Sequence, residues 1–257
     1  MKKKNVINIF KALKFLKLRR FIRLRKPFFV FLLLAFFLSE TILSINKYIG
    51  VLIYSFLILV VLFDLEEYEF LNNNEKLLIF LMIIPIARIS ELFIEFGFFW
   101  KTVMFYFVIC FLVIFYTRKF KINPGYTKSK LWFFPISIII GLLLSYIGSL
   151  YFGFEKHIEL LFLLPFIVFS EELLFRGLIQ NHAKKEFGPL FAVISTSLLF
   201  AIFSLSFGFK FSNFMLLANL IICLIYDQTE NIWLTIPINL CMNLFLFMIA
   251  LPSFPIL

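Results

Sequence analysis

Charged residues are scarce in this chain. They make up 16% of its 257 residues, whereas about 25% is typical of a soluble domain. Hydrophobic residues reach 62%, which is more than the core of a soluble protein of this length can bury. The composition therefore excludes an ordinary soluble globular protein. It predicts an integral membrane protein in which lipid contacts much of the surface.

Histidine and cysteine are also rare. The histidines are His157 and His182, and both are expected near the membrane interface. The three cysteines, Cys110, Cys223 and Cys241, fall inside apolar stretches and lack metal-site spacing. An odd number of cysteines in such positions argues against a disulfide framework and indicates buried small hydrophobes. So few histidines also leave little from which a zinc site could be built.

Positive charge, by contrast, is concentrated at the N-terminus. Residues 1–26 contain eleven lysines or arginines and no acidic residue. Charge alone would allow an arm that binds nucleic acid. Here, however, apolar residues are interleaved with the basic ones, and a membrane span follows at once. We therefore predict a basic amphipathic helix on the anionic cytoplasmic leaflet, with membrane lipid and not nucleic acid as its partner.

The remaining residues, 27–257, are predicted to form a single membrane domain. Their apolar runs approach the ~20 residues that a helix needs to cross a bilayer. This pattern predicts an all-α fold, a polytopic transmembrane helical bundle of eight or nine spans. The runs lie near residues 28–45, 48–63, 77–95, 98–116, 131–152, 158–179, 187–208, 211–226 and 231–251.

The distribution of lysine and arginine predicts the orientation of these spans. With nine spans and a cytoplasmic N-terminus, nineteen of these residues fall in inside segments and four in outside loops. Cytoplasmic segments of membrane proteins carry such an excess. We therefore expect a multi-pass protein of the plasma (inner) membrane with its N-terminus in the cytoplasm.

A first cluster of ionisable residues lies in the third predicted span. Arg88, Glu91 and Glu95 share one helical face and can pair. Charged groups inside a span are costly and are therefore candidates for function. The cluster is interpreted either as an internal ion pair that braces the bundle or as a contact for a substrate or ion. A small transporter is a third hypothesis for the function, because Pro85 near Arg88 would fit the broken helix that transporters use.

A second cluster lies in the sixth predicted span. Glu172 and Arg176 are four residues apart with the acid first, which is the favourable order for an ion pair within a helix. Glu171 is rotated by about 100° from Glu172 and cannot share that pairing equally. One carboxylate would then be neutralised, while the other points into the bundle and suits a general base acting on water. The alternative is a salt-bridged helix end near the cytoplasmic interface.

The sequence around this cluster resembles a known family. Residues 171–177 read EELLFRG, which is similar to the Glu-Glu-x-x-x-Arg motif of the CAAX-protease and bacteriocin-processing family of intramembrane metalloendopeptidases. That family includes the type II CAAX prenyl endopeptidases. Its second motif is Phe-x-x-x-His, and this chain has Phe200 followed by Ser204 at the histidine position.

A third region of the chain follows the same family pattern. Residues 226–233 read YDQTENIW, where the family usually has Tyr-x-x-Thr-Gly-Asn-Leu-Trp. The family's His-x-x-x-Asn follows, and here Asn239 replaces the histidine while Asn243 matches the asparagine. The resemblance covers about residues 131–250.

The resemblance implies roles for four residues. In the family, the first Glu and the first His activate a water, and the second His and the Asn stabilise the oxyanion. Those positions are occupied here by Glu171, Ser204, Asn239 and Asn243. The amide of Asn239 can still donate a hydrogen bond. Ser204 can bind a water but cannot take its proton near neutral pH.

The expected function is that of a CAAX-protease-like intramembrane endopeptidase homologue with a degenerate site. The alternative is a non-catalytic pseudoprotease that binds a membrane-associated or prenylated peptide, or a partner protein. No cofactor or metal is expected, because the histidine ligands are missing. We expect the four residues to converge on one cavity that opens toward the cytoplasmic half of the bundle.

Overall fold

The computed structural model describes residues 25–65, 73–92, 97–125, 131–151 and 161–249. Over these residues the chain is helical and contains no strand, which confirms the all-α fold. Most of the basic segment 1–26 lies outside the described residues, and so do Glu95 and His157.

The helices follow one another with short connections. In chain order they are α1 (Arg25–Ile45), α2 (Lys47–Leu65), α3 (Asn73–Leu92), α4 (Phe98–Lys119), α5 (Phe134–Tyr151), α6 (Leu164–Glu171), α7 (Asn181–Phe187), α8 (Pro189–Phe203), α9 (Phe209–Thr229) and α10 (Ile232–Ile249). A π-helix (Glu172–Gln180) joins α6 to α7, and 3₁₀-helices cover Leu131–Phe133 and Ser204–Phe207.

Each predicted apolar run overlaps one of these helices or the continuous stretch from α6 to α7. Within the described part of the chain, four segments are long and apolar enough to cross a membrane. They are Lys26–Ile45, Phe99–Lys119, Pro189–Phe207 and Phe209–Thr229. The chain is thus an all-helical bundle with several candidate membrane spans.

One end of the bundle carries most of the described positive charge, and we call it the basic end. Contacts between different helices define it. Lys26 lies over the Phe191 ring, and Lys76 lies over the Phe120 ring. Lys184 pairs with Glu230 at 2.9 Å. The lysines and arginines of this end are Arg25, Lys26, Lys76, Arg118, Lys119, Lys121, Lys184 and Lys185.

The other end, which we call the opposite end, is defined by a second set of contacts. Arg88 of α3 donates from Nε to Glu40 Oε1 of α1 at 2.9 Å and from Nη2 to the Phe203 carbonyl of α8 at 2.8 Å. Ser212 of α9 donates to the Ala201 carbonyl at 2.7 Å. The described lysines of this end are Lys47, Lys101 and Lys210.

The turn between α9 and α10 departs from the family pattern in an informative way. Glu230 has φ 51°, in the left-handed region, where the family pattern has glycine. A residue with a side chain is strained in this region. The Glu230 carboxylate accepts a hydrogen bond from Lys184, which offsets part of that strain. Asn231 then accepts from the Trp233 amide at 3.0 Å and caps the start of α10.

Gly177 of the first motif is required by a close approach of the backbone. A Cβ added at Gly177 would lie 2.7 Å from Pro124 Cβ and 3.2 Å from the Pro124 carbonyl oxygen. The segment containing Pro124 is also held by a hydrogen bond from the Ile232 amide to the Gly125 carbonyl at 3.2 Å. The glycine therefore lets the connection after α4 dock against the π-helix.

We expect Gly177→Ala to lower the free energy of unfolding by about 1–3 kcal/mol, because neither a proline ring nor a backbone carbonyl can rotate away from the new methyl group. Thermal unfolding of the purified protein in detergent measures the effect. Gly97→Ala is the matched control, since a Cβ there meets nothing within 4 Å, and its cost should stay below about 1 kcal/mol. Equal losses in the two variants would contradict the docking argument.

Candidate active site

The first motif lies on an unusual stretch of backbone. Glu171 is the last residue of α6, and Glu172–Gln180 form the π-helix, all of whose residues are buried. π-helical turns are rare and occur frequently at functional sites. The motif therefore lies inside the bundle on a helix whose geometry differs from that of its neighbours.

The predicted pair between Glu172 and Arg176 is present. Arg176 Nη1 lies 3.1 Å from Glu172 Oε1, and both side chains are 0% exposed. Arg176 also donates from Nη2 to Asn219 Oδ1 of α9, and its guanidinium lies 5.2 Å from the centre of the Phe200 ring. The pair thus connects the π-helix to α8 and α9.

Glu171 has different partners, as the rotation between the two carboxylates predicts. Tyr106 of α4 donates its hydroxyl to Glu171 Oε1 at 2.6 Å. Asn239 of α10 donates from Nδ2 to Glu171 Oε2 at 3.3 Å and to Glu172 Oε1 at 2.8 Å. One amide therefore spans both carboxylates of the motif.

The other two positions of the expected site also have partners. Asn243 donates from Nδ2 to Asn239 Oδ1 at 2.6 Å. Ser204 donates its hydroxyl to the Phe200 carbonyl, one turn earlier on α8, at 2.9 Å. The amides expected to stabilise an oxyanion are thus bound to groups of the site itself.

A small cavity of about 30 Å³ lies beside Glu171. A cavity of roughly 10–15 Å³ already holds one water. Of the four residues expected to converge, Asn239 contacts Glu171 but is not among those that line the cavity. The lining residues are Tyr106, Ile167, Glu171, Phe200, Phe203, Ser204, Phe207, Phe211, Met215 and Asn243.

The side chains around the cavity do not suit the metal ion that the family resemblance implies. Glu171 is the one carboxylate that lines the cavity, and N–H or O–H donors of Asn239 and Tyr106 point at its two oxygens. A cation placed there would face these donors, which repel it. Zinc sites are built from histidine, cysteine and carboxylate ligands, and no cluster of three such residues occurs in the described part of the chain.

His182 does not belong to the site. Its side chain is buried at the basic end and packs against the Phe80 ring, with centroids 4.9 Å apart. Its Nδ1 lies 2.8 Å from the Leu178 carbonyl oxygen. The histidine is thus an interior residue at the basic end of the bundle.

The cavity lies nearer the opposite end than the basic end. Phe207 and Phe211 line it, and both adjoin the turn beside Lys210. The expectation that the cavity opens toward the cytoplasmic half therefore conflicts with the orientation predicted from charge. If the basic end is cytoplasmic, the cavity faces the other side of the membrane.

Sequence reasoning missed Tyr106 and Asn219. Tyr106 is one of nine tyrosines, and nothing in the sequence connects it to Glu171. Asn219 could have been identified from the sequence, because a polar amide inside an apolar span usually has a buried partner.

The Arg88 cluster is a bracing network, and it adjoins the site. Arg88 pairs with Glu40 at 2.9 Å and with Glu91 at 3.0 Å. Tyr54 donates to Glu40 at 2.8 Å. Through its bond to the Phe203 carbonyl, Arg88 also caps the end of α8 directly before Ser204. Helix α3 continues past Pro85 without a break, so it lacks the interruption that motivated the transporter reading.

Comparison with known proteins confirms the family resemblance. Residues 153–245 match the family described as type II CAAX prenyl endopeptidase Rce1-like. The matched segment contains the two carboxylates, Ser204 and both asparagines of the site, whereas Tyr106 lies outside it. No curated protein and no solved structure matches the chain significantly. The chain is thus a CAAX-protease-like membrane protein.

We expect Arg176→Met to lower the free energy of unfolding by about 3–5 kcal/mol, because it leaves the buried Glu172 carboxylate without its counter-charge. Thermal unfolding in detergent and the yield of folded protein measure this loss. Lys184→Met removes a cation from a partly exposed pair and should cost about 1 kcal/mol or less. A fully stable Arg176→Met variant would show that the pair is not needed for folding.

Proposed function

We propose that this CAAX-protease-like membrane protein binds a membrane-associated polypeptide at the Glu171 site without cleaving it. One observation carries the proposal. The two amides at the family's oxyanion positions are engaged within the site, Asn239 with both carboxylates and Asn243 with Asn239. A hydrolase needs such donors directed at the position where the oxyanion develops.

The substitutions at the histidine positions support the same proposal. Ser204 cannot take a proton from water near neutral pH, and its hydroxyl is directed at the Phe200 carbonyl. General acid–base help contributes ~10²–10⁴-fold to a rate, and one oxyanion donor contributes about 10²–10³-fold. These factors need not multiply, because such groups act together. Either loss alone would still make turnover very slow.

The proposed ligand is a polypeptide with an apolar segment. The family resemblance implies a peptide as the occupant of this region. Half of the residues that line the cavity are aromatic, and Phe207 lies at its rim half-buried. Phe209, two residues farther along the turn, is 66% exposed. These side chains would contact an apolar peptide segment, whereas the 30 Å³ cavity itself admits only water.

Slow hydrolysis is the second candidate function, because the cavity places room for a water directly beside the Glu171 carboxylate. In that case Glu171 would act alone as the general base. Tyr106, whose hydroxyl is hydrogen-bonded to it, would hold the carboxylate in position.

We expect the purified protein to leave both prenylated and unmodified peptides uncleaved, and Ser204→His with Asn239→His to confer cleavage. The double substitution restores the base partner and the second donor within the same fold. Mass spectrometry of the peptides after incubation measures both outcomes. The control is the same double variant carrying Glu171→Gln, which should lose the gained cleavage. Cleavage by the unaltered protein that Glu171→Gln abolishes would refute the pseudoprotease and establish the hydrolase.

We also expect the unaltered protein to bind no stoichiometric zinc, since its cavity offers a single carboxylate surrounded by hydrogen-bond donors. Metal content after equilibration with zinc and gel filtration measures this directly. The double histidine variant is the comparison and should retain more zinc. One equivalent of zinc in the unaltered protein, lost on Glu171→Gln, would contradict the donor-set argument.

A further inference from the structure

The two ends of the bundle differ sharply in positive charge. Eight of the described lysines and arginines lie at the basic end, three lie at the opposite end, and Arg88 and Arg176 are buried. The unequal distribution continues into segments that adjoin the basic end in sequence. Nine more basic residues precede α1, and Lys128 and Lys130 follow α4. The opposite end gains only Lys156 from the segment that follows α5.

This asymmetry bears on which end faces the cytoplasm. Lysine and arginine accumulate in the cytoplasmic segments of membrane proteins, and acidic residues contribute little to the bias. Anionic lipid on the cytoplasmic leaflet adds attraction for basic segments near the surface. Both effects place the basic end in the cytoplasm and the opposite end outside.

The site lies closer to the opposite end. At a rise of ~1.5 Å per residue, the distance along the helix axis from Glu171 to the start of α6 is roughly 10 Å, and from Glu171 to the end of α7 roughly 24 Å. Ser204 begins the turn at the opposite end itself. On α4, Tyr106 lies nearer Lys101 than Arg118. Three separate helices thus place the site in the same half of the bundle.

The connection between α8 and α9 forms the rim of the cavity at this end. Phe207 lines the cavity, while Gly208, Phe209 and Lys210, which follow it, are exposed. The basic end is separated from the cavity by buried residues of the π-helix, from Glu172 to Gln180.

We propose that the Glu171 site is reached from the extracytoplasmic face. Its occupant is then a polypeptide segment exposed on that side or lying in the outer half of the bilayer. Prenylated tails of cytoplasmic proteins are excluded from it. The inference rests on the proposed function only for the existence of an occupant, because the side of access is a property of the bundle alone.

Accessibility of single cysteines to a membrane-impermeant methanethiosulfonate tests the proposal. The background carries alanine in place of Cys110, Cys223 and Cys241. Phe207→Cys reports on the cavity rim, Lys210→Cys on the opposite end, and Lys121→Cys on the basic end. Full-length protein is labelled in intact cells and, separately, in inside-out vesicles.

The first two cysteines should be labelled in intact cells and lose that labelling in inside-out vesicles, while Lys121→Cys should show the reverse pattern. If Phe207→Cys folds poorly, Ser204→Cys, which also lines the cavity and changes the side chain least, replaces it. Labelling of the rim only in inside-out vesicles would overturn the proposal. The proposal would also be overturned if Phe207→Cys were unlabelled from both sides while Lys210→Cys was labelled, because access would then be from lipid alone.

The proposed function is tested separately by cleavage in detergent, where the two faces are equivalent. Cleavage by the unaltered protein would refute the pseudoprotease and leave the side of access untouched. Rim labelling from the cytoplasmic side would refute the access proposal and leave the pseudoprotease untouched.

Discussion

The ion pair between Glu172 and Arg176 lies where four parts of the bundle meet. Removing two charges from water costs several kcal/mol for each ion, and that cost is recovered only when further hydrogen bonds satisfy both groups. Asn239 of α10 and Asn219 of α9 supply part of this need, at Glu172 Oε1 and Arg176 Nη2, and Phe200 of α8 lies beneath the guanidinium. Glu172 Oε2 and Arg176 Nε are buried without a hydrogen-bond partner in the described part of the chain, so the pair itself must offset their desolvation. The arrangement of these helices around the π-helix therefore depends on keeping the pair intact.

The same constraint explains why the amides of the site are already engaged. Asn239 has one amide group, and its hydrogens are used to hold Glu171 and Glu172 together. A histidine at position 239 would bring a different shape and a different number of donors, so the carboxylates would need other partners. The replacement of the second histidine by Asn239 and the hydrogen bonds of Asn239 to both carboxylates are thus linked. The family resemblance implies that the side chain at position 239 stabilises the charge of a developing oxyanion. In this chain Asn239 instead stabilises the carboxylates of Glu171 and Glu172.

The fold was largely predictable because lipid imposes a simple rule on length and composition. Apolar runs of about 20 residues marked most helices to within a few residues, including α5 and α10. The exception is the sixth run, because the helical stretch that begins with α6 continues through a polar segment to Phe187. Motif spacing also predicted that Glu171, Ser204 and Asn243 lie close together, and all three line one cavity. The ionisable-residue rule applies to Glu40 as much as to Arg88, yet its partner lies 48 residues away and no local pattern indicates it. The Tyr106–Glu171 contact and the half of the bundle that holds the cavity depend on three-dimensional packing, which the sequence does not display.

The pairing of Glu40 with Arg88 has a consequence for how the protein is made. A ribosome delivers α1, with its carboxylate, to the membrane well before α3 emerges with the matching guanidinium. A lone carboxylate at membrane depth is costly, and during that interval the Tyr54 hydroxyl of α2 is the first partner available. The helices α1 to α3 therefore behave as one biosynthetic unit, which must be held together at the site of insertion until its last member arrives. Glu172 and Arg176, four residues apart on one helix, enter already paired and impose no such delay.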